Sequence, residues 1–258
     1  MYHNGYGVQD YHQAREWYEK AAAQGNAEAQ CNLGAMYFSG EGVRQDYHQA
    51  REWYEKAAAQ GDAIAQAGLG SLYNAGNGVR QDYHQAKEWF EKAAAQGEAT
   101  AQAKLGAFYY LGEGVQQDYH QAREWYEKAA AQGDADAQLL LGMMYADGLS
   151  VRQDHHQAKE WFEKSAAQGN AGAQYNLGLT YYNGDGVTQD YHQAREWYEK
   201  SAAQGGAHAQ FALGKMYADG VGVRQDHHQA KEWLGKACDN KLQRACDRYK
   251  ALDHQDTP

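Results

Sequence analysis

Seven tryptophans, Trp17, Trp53, Trp89, Trp125, Trp161, Trp197 and Trp233, stand 36 residues apart, and no tryptophan lies outside the series. A fixed period of this size means one supersecondary unit repeated along the chain, each copy burying its apolar face on its neighbours. A length of 258 residues would ordinarily suggest one or two globular domains. The period replaces that reading with a single elongated array. An aromatic content of 13% and frequent alanine supply apolar surface to bury. The one proline is Pro258, so no proline breaks a helix or marks a linker.

Each unit reads as two helical halves. The first runs over 46–60, DYHQAREWYEKAAAQ, with Asp46 as N-cap and Gln49 three residues later in a capping-box-like pair. Glu52 and Lys56, at i and i+4 with the acid first, are expected to form a surface pair. Gly61 supplies the left-handed residue that ends the helix. Ala50, Trp53, Tyr54 and Ala57 follow i, i+3, i+4, i+7, which predicts one buried face with the tryptophan in it. On that reading Trp→Ala costs about 3–5 kcal/mol. The second half begins at the cap Asp62 and continues AIAQAGLGSLYN to Asn74. Its positions Ala63 and Gly70 are small enough for a neighbouring helix to approach, and Tyr73 is expected to plug the gap. A GxGV turn (Gly76, Gly78, Val79) leads into the next unit. Helix pairs joined by glycine turns and stacked in series make an all-α solenoid.

The pattern A-x-A-Q-x-x-L-G-x-x-Y-x-x-G-x-G-V-x-Q-D-[YH]-x-x-A-x-x-W-[YF]-x-K-[AS]-A-x-Q-G resembles the Sel1-like repeat, a relative of the tetratricopeptide repeat. It covers nearly the whole chain and recurs six times in full. The resemblance implies a right-handed superhelix of helix pairs and a role in protein–protein interaction or complex assembly; no enzymatic activity is expected, because no Ser/His/Asp grouping stands out from the repeat. The expected organisation is one array over 1–258: a partial first unit at 1–25, six repeats over 26–240, and a capping helix with tail over 241–258, the helix itself at 241–252. The first residues, MYHNGYGVQD, match the middle of the repeat (compare Met36 onward), so the chain is expected to begin inside a unit, as a fragment or processed chain does. Ser150 departs from the pattern. It stands where the second turn glycine belongs (GLSV for GxGV) and is expected to bend the array locally.

Composition and spacing weigh against several functions. With 24 Lys and Arg against 34 Asp and Glu the formal charge is −10, and no basic run is present, which argues against nucleic acid. No stretch approaches the roughly 20 apolar residues that span a bilayer, so no membrane insertion is expected. Histidines at His12, His48, His84, His120, His156, His192 and His228 repeat at one helix-start position. Equivalent atoms of adjacent units stand roughly 10 Å apart, whereas zinc ligands lie about 2 Å from one ion. They are therefore surface residues and no metal site is expected. The GxG turns join two helices and carry acids such as Glu41, Glu113 and Asp185, so they are turns and not phosphate cradles. No cofactor is expected.

Function is sought where the copies differ. At 100° per residue, the fixed positions of the second-type helix share one side, and the opposite side repeats at i, i+4, i+7 and i+11. Those positions line up as a ribbon, concave by the resemblance. It carries Ile64 in one unit, Lys104 and Leu111 in the next, then Leu140 and Met143, then Asn176 and Leu179. Apolar residues where water is expected mark a candidate surface for a protein or peptide partner; the alternative is scattered surface hydrophobes or contacts between adjacent helices. Charged substitutions at Leu140 and Met143 are expected to abolish capture without unfolding the array.

Cys238 and Cys246 replace Ala58 and Gln66 of another copy. In one continuous helix they would stand about 12 Å apart, too far to bond, while a helix–turn–helix lets them face each other. The ending WLGKACDNKLQRACDRYKAL resembles C-terminal units of exported Sel1-like proteins, whose cysteine-rich members carry a C-x7-C disulfide. The resemblance thus implies a Cys238–Cys246 bond, and the bond a periplasmic or secreted bacterial protein. Cys31 is left as a small residue on a helix flank. Cysteine-rich relatives also suggest an alternative, a penicillin-binding or β-lactamase-type enzyme, though this chain has their cysteine pair in its last unit only and no nucleophile–base set. The first helix, expected at 10–24, lacks most of a preceding partner, so its outer face is expected to pair two chains weakly, end to end.

Overall fold

The computed structural model describes residues 7–255 and the side chains of 11–253, all of the described secondary structure being helical. The segment 1–6, expected to continue a repeat unit, lies outside the described residues. The chain divides into two compact units, one ending at Gln132 and the other starting at Gly133.

The first unit holds α1 (Gly7–Ala23), α2 (Ala27–Ser39), α3 (Tyr47–Ala59), α4 (Ala63–Ala75), α5 (Tyr83–Ala95), α6 (Ala99–Leu111) and α7 (Tyr119–Ala131). The second holds α8 (Ala135–Asp147), α9 (His155–Ala167), α10 (Ala171–Asn183), α11 (Tyr191–Ala203), α12 (Ala207–Asp219), α13 (His227–Asp239) and α14 (Gln243–Gln255). Caps explain these bounds. The Asp46 carboxylate accepts from the backbone N–H of both His48 and Gln49, and Asp62 accepts from Ala65. Gly61 and Gly76 then turn the chain out of each helix with φ of +90° and +72°, conformations that a Cβ disfavours.

Within each unit the closest packing joins a second-type helix to the first-type helix that follows it, as in α4 against α5 and α10 against α11. Gly70 explains how. An added Cβ there would stand 2.6 Å from the Phe90 ring, so the glycine is a notch that seats the aromatic. The same notch and ring recur at Gly106 with Tyr126 and at Gly142 with Phe162. The seated rings Phe90, Tyr126 and Tyr198 are at most 1% exposed.

This corrects the expected place of the tryptophans. From Trp53 on, the buried residue is the one after each tryptophan, an aromatic from Tyr54 to Tyr198 and Leu234 in the last copy, and Trp53 through Trp233 are half-buried. Trp89 leans on the cluster around Tyr54 and Leu69, and Trp197 on the one around Phe162 and Leu177, so each still joins its repeat to the one before. The outer face of the ring is covered by the lysine three residues on: Lys56, Lys128 and Lys200 stand 3.8 to 3.9 Å from their ring centroids. Such a cation–π contact at an exposed site is worth about 0.5–1 kcal/mol. That geometry replaces the expected Glu52–Lys56 pair. The acid partners run the other way, with Arg51 to Glu55 at 3.4 Å and Lys159 to Glu163 at 2.6 Å.

A polar ladder also ties the repeats. In the first unit the Gln60 amide donates to Gln30 at 2.8 Å, Gln96 to Gln66 at 2.9 Å, and Gln132 to Gln102 at 2.9 Å. In the second, Gln204 donates to Gln174 at 2.8 Å and Asn240 to Gln210 at 2.9 Å. The accepting glutamines are buried, and Gln30 also donates to the carbonyl of Ala22 at 3.2 Å. A buried amide satisfied on both sides fixes the spacing of neighbours, because shifting it leaves an unpaired polar group.

Two residues take glycine's conformation without being glycine. Lys241 has φ +65° at the place Gly61 holds earlier, which starts the last helix at Gln243, two residues later than expected. Ser150 has φ +60°, and its hydroxyl is buried without a hydrogen-bond partner. A left-handed L-residue costs about 1–2 kcal/mol, and an unpaired buried hydroxyl adds to it. Ser150→Gly is therefore expected to stabilise the protein by about 1 kcal/mol after glycine's own entropy cost, read as a higher urea midpoint. An unchanged or lower midpoint would refute the strain.

Candidate functional site

The structure places the ribbon residues in two settings. In the first unit Ile64 is 64% exposed on α4 and Leu111 58% exposed on α6, and Lys104 is exposed on the same helix as Leu111. In the second unit Met143, Asn176 and Leu179 are brought together. They line a cleft of about 310 Å³ between α8 and α10, with Thr180 and Asn183 beside them and Phe162 below. Leu140, one turn earlier on α8, is half-buried and outside that lining. Met143 packs against the Phe162 cluster and Leu179 against the Tyr198 cluster, so both spend part of their apolar surface on neighbouring helices. Asn176 turns its amide onto the Gly172 carbonyl at 3.0 Å.

A second cleft, about 210 Å³, adjoins the first and shares Leu179 and Asn183 with it. It lies between α10 and α12, with Arg244 of α14 at its rim. Tyr175 and Phe211 form its walls. The Tyr175 ring stands 5.8 Å from Tyr198 and 5.8 Å from His208, and the Arg244 guanidinium lies 4.7 Å from the Phe211 centroid. Burial pushes the Tyr175 phenol up, against the opposing pull of the Arg244 charge. Burial likewise raises Tyr182, with Tyr191 and Asp219 adding to it.

Of the second cleft's lining, the sequence-based prediction named Leu179 as a candidate and missed the aromatic walls and Arg244, although a signal for the walls existed. The position occupied by Tyr175 and Phe211 holds Cys31, Ala67, Ala103 and Leu139 in the other copies. Cys31 is buried in the Tyr54 cluster, with its thiol pushed up to about 12 by burial and by Asp62. Cys238 and Cys246 are joined as a disulfide with Cα atoms 4.8 Å apart, tying the end of α13 to the start of α14. The histidines that repeat at the helix starts, His48, His84, His120, His156, His192 and His228, are all exposed. Trp17 on α1, the face expected to pair two chains, is 64% exposed. Among the described residues no helix is long and apolar enough to cross a membrane.

The pattern of the Sel1 repeat family matches over residues 1–26, 27–62, 63–98, 99–134, 135–170, 171–206 and 207–242. The chain belongs to the Sel1-repeat family. Among solved structures, this Sel1-repeat chain is similar to a protective antigen present in uropathogenic Escherichia coli strains that displays an SLR fold. The identity is 41% and the TM-score 0.79, over 94% of this chain and 52% of the antigen. The chain thus spans about half the length of that protein. It is also similar to a Sel1 repeat protein from Oxalobacter formigenes, with 36% identity and a TM-score of 0.83 over 89% of this chain and 94% of that one. An immunity protein from Pseudomonas aeruginosa shares the fold at 23% identity and a TM-score of 0.54, over 83% and 81% of the two chains. No curated protein matches. Sel1-repeat proteins are generally protein-interaction scaffolds, and an α-solenoid of 36-residue helix pairs is the architecture observed here.

Proposed function

We propose that this Sel1-repeat protein is a non-enzymatic adaptor that holds a protein or peptide partner on the second-type helices of its C-terminal unit. The observation that carries this reading is the convergence of Met143, Asn176 and Leu179 on one open cleft that runs on into a second. These positions vary between copies, whereas the notch glycines and the buried accepting glutamines from Gln30 to Gln210 do not. Half-buried apolar side chains flanked by amides suit a peptide segment, which offers both apolar side chains and backbone groups. The Cys238–Cys246 bond supports an oxidising compartment, periplasmic or secreted.

The test is capture from the source organism with the intact chain and a Leu140→Glu/Met143→Gln variant. Met143 packs on the Phe162 cluster, so a neutral amide of similar length replaces it in preference to a charge. The variant is expected to bind the captured partner at least tenfold more weakly, with its circular dichroism and urea midpoint near those of the parent. Equal binding by the two proteins would overturn the surface.

A further inference from the structure

Two cations stand at the second cleft without a carboxylate. Arg244 and Lys215 both line it, and no described acid forms an ion pair with either. Their surroundings make this notable. The chain carries a net charge of −10, and the neighbouring Arg248 is already paired with Asp219 at 2.7 Å. Arg244 is also held in place. Its guanidinium lies on the Phe211 ring at 4.7 Å, donates to His208 Nδ1 at 2.9 Å and hydrogen-bonds the Tyr175 hydroxyl. A guanidinium has five in-plane N–H donors, so one stacked by a face and committed to His208 and Tyr175 still has donors for an anion, and fixing it beforehand lowers the entropy cost of binding.

The rest of the cleft is aromatic. Tyr175, Tyr182, Tyr198 and Phe211 line it beside the two cations. Its volume of about 210 Å³ is below the range for a whole drug-sized ligand and suits the end of a chain. The features are particular to this place. Arg244 lies on α14, past the last matched repeat at 242, and large aromatics occupy the wall position only at Tyr175 and Phe211.

We propose that this cleft binds a polypeptide C-terminus, the terminal carboxylate on Arg244 and Lys215 and the last side chain, apolar or aromatic, among the tyrosines. A chain end is the peptide group that carries a carboxylate and an apolar side chain on one carbon, which matches cations and aromatic walls within one small cleft. This deepens the adaptor reading and rests on it, naming the part of the partner that is held.

The experiment titrates the full chain, disulfide intact, with three probes followed by NMR: acetyl-Gly-Gly-Phe with a free carboxylate, the same tripeptide as its C-terminal amide, and acetyl-Gly-Gly-Glu amide. The free acid is expected to bind at least tenfold more tightly than either amide. Arg244→Gln is expected to weaken the acid at least tenfold, and Lys215→Gln, on the exposed face of α12, severalfold with the fold unchanged. Equal binding of acid and amide, no binding of the acid at millimolar concentration, or full affinity in both variants would overturn the proposal. Equal binding of the glutamate probe would overturn the chain-end assignment. Leu140 and Met143 lie outside this cleft, so their double variant is expected to bind the tripeptide unchanged, and failure of the adaptor surface is read separately from failure of the cleft.

Discussion

Replacing Phe90 by alanine is expected to cost about 3–5 kcal/mol, the range for truncating a fully buried aromatic. Phe90 is 0% exposed, sits in the Gly70 notch, and meets Phe108 edge-on at 5.7 Å. Alanine would leave a void that rigid helices on both sides collapse into only partly. The adjacent Trp89→Ala is the informative control. It removes a larger side chain but a half-buried one under Lys92, whose Nζ stands 4.1 Å from the ring, so its loss should fall well below that of Phe90. In a repeat array the damage spreads through nearest neighbours and unfolding need not be two-state. Urea unfolding is therefore to be read together with hydrogen exchange of α4, α5 and α6. Equal losses for the two variants, or a larger one for Trp89, would show that the tryptophan is the core residue after all.

The second large effect is at the other end of the chain. Removing the Cys238–Cys246 bond by a double alanine variant is expected to destabilise α14 by roughly 2–3 kcal/mol, the loop-closure value for so short a ring. α14 buries Ala245 and Leu252 against α13, and its other ties are exposed ones such as Arg248 to Asp219 and Lys231 to Asp253, which are individually weak. Faster amide exchange should be confined to α13 and α14 and leave α9 to α11 as they were. Unfolded under non-reducing conditions, the parent should titrate one thiol, that of Cys31, and three after reduction. Three thiols without reductant, or exchange in α14 unchanged by the variant, would defeat the expectation. Because Arg244 rides on α14, the same variant should also loosen the second cleft.

What was legible in the sequence was what is local. Asp46, Asp62, Gly61 and Gly76 state the helix ends because capping and left-handed turns act within a few residues, and the observed bounds follow them. The depth of the tryptophan was not legible. Trp53 and Tyr54 both fit the apolar stripe, and only the notch at Gly34 on another helix decides that Tyr54 enters. The ladder escaped for a related reason: Gln66 reads as an ordinary polar residue until its partner Gln96, thirty residues away, is placed beside it. At the candidate site, the repeat register brought Met143 and Leu179 forward. It gave no weight to Arg244, which lies where the repeat fades, or to Tyr175 and Phe211, which stand one position off the ribbon.

The glutamine ladder has a consequence for how such a chain changes length. Before the last, every rung is the same glutamine-to-glutamine joint at the same offset, so such a rung carries no information about which neighbour it belongs to. A block of 36 residues copied or excised in frame would meet an identical joint on both sides. Only the last rung is distinct, closed by Asn240 and followed by the disulfide. Growth and shrinkage are therefore cheap in the middle and restricted at the C-terminal end, where the Arg244 cleft is found.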